Sequence, residues 1–213
     1  MSFGTWNDES PTWSPDGKRL AYQSCAPDYS RCGVATTSAT GPYSGPHFLA
    51  LGVVNPSTGE CAGAASDAYL APSWHPRLDR LALQHACRYA DSPSRVLPRV
   101  LNASNGRVVT KAAGRLSNPD WSPSGDRLVW VDATNVEQAT TIIRTGPKGE
   151  NSVALTSVEG PQDYRHSAST PIWSPDGRWV VYSVAFFDTW ITDANGRSHR
   201  KLIPNAIPLD WKA

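Results

Sequence analysis

Residues 11–24 read PTWSPDGKRLAYQS, and nearly the same phrase returns at 72–85 (PSWHPRLDRLALQH), 119–132 (PDWSPSGDRLVWVD) and 171–184 (PIWSPDGRWVVYSV). Aligned on Trp13, Trp74, Trp121 and Trp173, every copy carries proline two positions before and two after the tryptophan. Three copies carry glycine four positions on, at Gly17, Gly125 and Gly177, and all continue into an apolar run: RLAY, RLAL, RLVW or WVVY. Repeats 47 to 61 residues apart are the mark of a solenoid or a propeller.

Turn chemistry selects strands. In Pro-Asp-Gly the proline presets φ, the aspartate bonds the backbone ahead and the glycine supplies a positive φ. Such a turn joins the tryptophan strand to a β-branched and aromatic strand, making a hairpin. A second turn follows in each unit, read at 55–60 (NPSTGE), 102–107 (NASNGR), 146–151 (GPKGEN) and 193–197 (DANGR). Each unit is therefore expected to hold four antiparallel strands, A to D. No segment has a helical period with caps. Four-stranded units repeating about an axis are propeller blades, and near-continuous apolar runs fit sheets covered on both faces. The four tryptophans are expected to be buried between blades.

The pattern P-x-W-S-P-D-G-(R/K) followed by apolar and aromatic residues, best matched by 11–22, 119–130 and 171–182, resembles the TolB-type β-propeller repeat of bacteria. The resemblance implies an all-β propeller, residues 1–213 forming one domain with blades near 7–66, 67–116, 117–167 and 168–205. It also implies a non-enzymatic scaffold that docks a protein partner. The second copy departs from the pattern, with His75 for serine and Arg77-Leu78 for Asp-Gly, so its A–B turn must differ. The family's usual ring has six or so blades, and four repeats are present. Residues 206–213, with Pro208 and Trp211, read as a closing or partial strand, and SFGTW (2–6) as another closing strand. Either four blades close on themselves, which is the expectation, or the chain belongs to a larger or homo-oligomeric ring.

Composition bounds the partners. With 213 residues, 39% apolar content, 18% charge and a net charge of +1, the chain has no bulk electrostatic pull on nucleic acid and no Lys/Arg cluster. No stretch approaches the roughly 20 apolar residues of a membrane span, and MSFGTWNDES lacks the features of a signal peptide. Cys25, Cys32, Cys61 and Cys87 lack CxxC spacing and the five histidines are scattered, so no metal or cofactor is expected. Free buried thiols and an oxidised extracytoplasmic domain, periplasmic or secreted, both fit these cysteines. We carry forward the second, with a Cys25–Cys32 bridge. Cys61 reads as opening a D strand and Cys87 as closing a B strand, so these two look poorly set to pair.

Catalytic patterns are weak. GPYSGP (41–46) has the wrong offsets for a nucleophile elbow, and GPKGEN lacks the setting of a phosphate loop. Asp16, Asp126 and Asp176 sit in repeated turns, so a structural role is expected for them, as for Gly17, Gly125 and Gly177. NAS at 102–104 matches a glycosylation acceptor but falls in a repeat turn. Length concentrates in the B–C and D–A connections, read at 26–46, 88–94, 133–139 and 157–170. Tyr29, Tyr43, His47, Tyr164, Arg165 and His166 lie there and are the expected partner contacts, though they would serve equally to pack the loops. Two alternatives are an accessory propeller of a serine peptidase or hydrolase whose catalytic domain is absent from these residues, and a glycan-binding propeller that stacks sugars on those tyrosines.

Overall fold

The computed structural model describes residues 6–42, 45–53, 60–91, 94–134, 140–157, 168–185 and 187–211. Among these residues there is no helix. Sixteen strands form in chain order: β1 (Asn7–Trp13), β2 (Arg19–Cys25), β3 (Cys32–Ser38), β4 (His47–Leu51), β5 (Ser66–Trp74), β6 (Arg80–Arg88), β7 (Arg95–Asn102), β8 (Val108–Lys111), β9 (Leu116–Trp121), β10 (Leu128–Asp132), β11 (Thr141–Thr145), β12 (Val153–Ser157), β13 (Ala168–Trp173), β14 (Trp179–Val184), β15 (Asp188–Asp193) and β16 (His199–Ile203). They form four antiparallel meanders of four strands. The chain divides into two compact units, Met1–Lys111 and Ala112–Ala213.

In the first unit the meanders β1–β4 and β5–β8 are joined by one parallel bridge, Cys32 to Ala68. Their shared core sets Ala21 and Val34 against Trp74, Leu81, Leu83, Leu101 and Ala103. In the second unit Val129, Val131, Ile142 and Leu155 of β9–β12 pack on Ala168, Trp173, Val180 and Tyr182 of β13–β16. The core of each unit thus lies between its two sheets, where one tryptophan of the repeat is wedged.

Related devices build the four repeats. The hydroxyls of Ser14, Ser122 and Ser174 accept the backbone N–H five residues on, at Arg19, Arg127 and Trp179. In the divergent second copy His75 takes over, its Nδ1 accepting the N–H groups of Arg77 and Leu78 at 3.0 Å. Three residues before each tryptophan the A strand carries a β-bulge. There Ser10, Ala71, Asn118 and Thr170 hold φ of 52°, 50°, 48° and 46°. A left-handed residue repeated in all four sheets is an architectural element; the extra residue bends the strand and re-aims the side chains that follow it.

Sheets within a unit are also tied by a repeated polar link. The Trp74 N–H donates to Thr12 Oγ1 at 3.2 Å, and the Trp173 N–H to Asp120 Oδ2 at 2.8 Å. In both cases the acceptor is the residue before the preceding sheet's tryptophan.

Three expectations need correction. Trp74, Trp121 and Trp173 are 4–5% exposed, whereas Trp13 is 59% exposed. Trp13 belongs to the first sheet of the chain, and among the described residues no strand comes before β1. Residues 26–46 are not one connection: β3 lies inside them, leaving 26–31 as the B–C turn and 39–46 as the C–D connection, so 52–65 is the D–A connection. Residues 206–211 form no strand; Pro204 and Pro208 each withhold a ladder donor, and Leu209 is 84% exposed.

Candidate functional site

The B–C and D–A end of the first unit is where covalent and polar bracing concentrates. The B–C turn of the first sheet, 26–31, is closed by the Cys25–Cys32 disulfide, whose residues are paired across β2 and β3. Within it Ala26 N–H donates to Arg31 O and Tyr29 N–H to Ala26 O, both at 2.8 Å. Asp28 accepts from the Ser30 hydroxyl and N–H, which hold its carboxyl below the usual carboxylate range. The result is a rigid turn that presents Tyr29, φ 54° and 46% exposed, to solvent. Arg88, at the end of β6, donates to Tyr29 O at 3.3 Å and ties the turn to the next sheet.

A second disulfide joins Cys61 to Cys87, with Cα atoms 5.3 Å apart. This corrects the expectation that the two would not pair. Cys61 stands in the D–A connection rather than in a D strand, and Cys87 closes a B strand. D–A and B–C connections share one end of a meander, so the two residues meet. The same connection is pinned by Asp67 Oδ1, which accepts the Val53 N–H, and by Ala65 N–H donating to Arg88 O at 2.7 Å. Gly52 is required there, because a Cβ would stand 1.9 Å from Asp67 O.

Beneath this rim lies a buried polar cluster. His85 Nε2 is 3.0 Å from Asp67 Oδ2 and 3.4 Å from Cys61 Sγ. The Tyr69 ring stacks on the imidazole at 4.3 Å with planes 3° apart, and its burial raises the phenol's pKa. The Arg99 guanidinium, itself buried, pairs with Glu60, which also takes Lys111 Nζ at 3.0 Å. The Arg99 contact foremost, with Lys111 beside it, holds the Glu60 carboxyl below its ordinary range. Sγ of Cys61, Sγ of Cys87 and a ring nitrogen of His85 all lie within 4.8 Å of one another.

No known family's sequence profile matches the chain, and no curated protein matches it. Among solved structures the chain is similar to TolB from Acinetobacter baumannii, at 16% identity and a TM-score of 0.58, covering 94% of this chain and 44% of that one. It is similar to the β-propeller domain of the trilobed protease from Pyrococcus furiosus, at 14% identity and 0.51, over 97% of this chain and 59% of that one. It is also similar to a prolyl endopeptidase, at 14% and 0.59, over 95% of this chain and 30% of that one. The fold is propeller-like. The chain spans under half the length of that TolB, and at these identities the likeness speaks for fold alone.

Of the six expected contact residues, Tyr29 and His47 lie within the described residues, and they stand at opposite ends of the first sheet. Tyr29 sits on the braced B–C turn. His47 opens β4 at the opposite, turn end, where with Asp16, Lys18, Arg19, Thr36, Ser38 and Ser104 it borders a cleft of about 550 Å³. Tyr43 lies in the same C–D connection but, like Tyr164, Arg165 and His166, outside the described residues. Asp16 and Asp176 serve the A–B turns: Ser14 and Ser174 hydroxyls donate to them at 2.6 Å. Sequence reading missed the buried cluster. Its one local signal is His85-Ala-Cys87, two chemistry-bearing residues at the strand period that share a face of β6.

Proposed function

We propose that the chain is a propeller module of an extracytoplasmic protein, acting as a non-enzymatic scaffold of TolB-like type that grips a protein partner through its B–C and D–A connections. The observation that carries this reading is that both disulfides brace the same end of the first unit. Loops held in place before binding avoid an ordering cost of roughly 0.5–1.5 kcal/mol per immobilised side chain. Tyr29 and Arg31 stand exposed on that rim beside Val53, 57% exposed, and tyrosine and arginine are the side chains that most often anchor interfaces. At the turn end, by contrast, the aspartates and serines are engaged in forming their own turns. Two disulfides also favour an oxidising compartment, because cytosolic thiols are kept reduced. Tyr164, Arg165 and His166 are assigned to the binding end from the sequence.

Likeness to a prolyl endopeptidase and to a protease propeller domain favours a second reading, an accessory propeller beside a hydrolase. A hydrolase domain in the same polypeptide would decide for it. The scaffold reading is tested by placing a photo-crosslinking amino acid at Tyr29 or at Lys18 in cells that make the protein. A discrete protein adduct from position 29 and none from position 18 is expected; adducts from position 18 alone would overturn the assignment.

A further inference from the structure

The corner where Cys61, His85 and Cys87 meet holds more chemistry than a brace requires. A structural disulfide needs two sulfurs and apolar cover, which Ala64, Tyr89 and Leu97 provide. Here a buried imidazole is set against it. Stacking on Tyr69 fixes the ring plane, so Nε2 stays aimed between Cys61 Sγ and Asp67 Oδ2. The three residues are 3%, 6% and 0% exposed, for Cys61, His85 and Cys87 in turn.

Two thiolates, one imidazole and one carboxylate oxygen suit a borderline-soft d10 cation that prefers tetrahedral coordination. With zinc–sulfur bonds of about 2.3 Å and zinc–nitrogen bonds of about 2.0–2.1 Å, tetrahedral neighbours stand roughly 3.5–3.8 Å apart. The 3.4 Å between His85 Nε2 and Cys61 Sγ is already close to that spacing. Opening the disulfide lets the second sulfur part from the first to the same distance.

We propose that two-electron reduction of the Cys61–Cys87 disulfide converts this corner into a site for a thiophilic d10 cation, zinc foremost, bound by both sulfurs and His85 Nε2. Asp67 Oδ2 is placed to take the fourth position. A dithiol reductant passes two electrons and two protons to the disulfide and is itself oxidised to a disulfide, leaving two cysteine thiols. The cation then displaces both thiol protons to solvent. Nε2 gives up the proton it shares with Asp67 Oδ2, which solvent carries to Nδ1. The freed Nε2 lone pair binds the metal, and the ring stays neutral with its proton on Nδ1. The surplus negative charge of the filled site, together with that of Glu60, is matched by Arg99 and Lys111, which Glu60 gathers at the residue before Cys61. Disulfide and metal site are exclusive states of the same residues. Each ties the D–A connection to the end of β6.

The test uses the full chain with Cys25→Ser and Cys32→Ser, so that only Cys61 and Cys87 remain, alongside the unaltered chain. A phosphine reductant, which takes up an oxygen atom from water as it opens the disulfide, is removed anaerobically before titration with Co2+, the spectroscopic stand-in for zinc. One equivalent of Co2+ per chain should give thiolate-to-cobalt charge-transfer absorption that zinc abolishes, and the oxidised protein should give none. His85→Gln, first checked by near-UV circular dichroism in its oxidised state, should weaken binding at least tenfold. Absence of the band at stoichiometric cobalt, or equal affinity in His85→Gln, overturns the proposal. If reduction unfolds the chain, zinc and not magnesium must restore the near-UV signal in the His85 protein; failure to do so overturns it equally.

Discussion

Gly106 and Gly17 offer a matched pair of substitutions that separates the cost of a turn from the cost of a contact between sheets. Both glycines occupy repeat turns with left-handed backbone, φ 69° and 66°. Alanine at either position meets the left-handed penalty of roughly 1–2 kcal/mol. At Gly17 a Cβ would find nothing within 4 Å, so the penalty ends there. At Gly106 it would stand 2.2 Å from the backbone oxygen of Leu49, in β4 of the neighbouring sheet. Backbone cannot rotate away, so the sheets must part, and overpacking of this kind adds about 1–3 kcal/mol. Gly17→Ala should therefore lose about 1–2 kcal/mol and Gly106→Ala about 2–5 kcal/mol, read as a shift in the urea midpoint by tryptophan fluorescence. The same logic holds at Gly196, where a Cβ would lie 2.8 Å from Leu155 Cα. Equal losses at Gly17 and Gly106 would mean that the turn after β7 does not rest on β4, and the packing of the first unit would have to be redrawn.

Three further predictions follow from the repeat. Trp74→Ala should cost about 3–5 kcal/mol, as for large core aromatics, and Trp13→Ala within about 0.5 kcal/mol, because only the first ring is buried; paired denaturation curves read the difference. Ala71→Gly should stabilise the protein by up to about 1 kcal/mol by relieving a left-handed alanine, since its N–H bond to Gln23 at 3.2 Å is kept; a lower urea midpoint would contradict the assigned backbone. The Asp176 carboxyl is lowered to about 2, chiefly by the Ser174 hydroxyl and then by the Arg178 N–H. A depressed carboxylate contributes stability that is full above its unfolded value near 4 and is lost as pH falls toward 2. Asp176→Asn should therefore flatten the loss of stability between about pH 4 and pH 2 relative to the unaltered chain, as measured by thermal melts across that range.

Local chemistry made the A–B hairpins legible: Ser-Pro-Asp-Gly specifies a turn by its own bonds, and the runs after it can only be buried strands. The first sheet's third strand was not legible. Its sequence, CGVATTS, is small and polar, and it is a strand because the neighbouring strands and β5 cover it. A Cβ on Gly33 would lie 2.5 Å from Ala50 O, a closeness no propensity announces. Misplacing that one strand moved Cys61 from a connection into a strand, and with it went the disulfide pairing and the side on which His47 lies. The bulge residues were hidden for a related reason. Nothing about Ser10, Ala71 or Thr170 favours a left-handed backbone; the register kept with the partner strand on either side of the bulge imposes it. Asp67 and His85 come together only through pairing of β5 with β6, so His85-Ala-Cys87 alone could not disclose the cluster.

The account rests on a loop end braced by two specific disulfides, and peptide mapping without reduction tests that most directly. Protein purified without reductant is digested with trypsin and with a protease that cuts after glutamate. Cleavage after Arg31 and Glu60 then places every cysteine on a different peptide: 20–31, 32–60, 61–77 and 81–88. The account predicts that 20–31 is linked to 32–60, and 61–77 to 81–88. A link from 20–31 to either 61–77 or 81–88, or four peptides with free thiols, would contradict it.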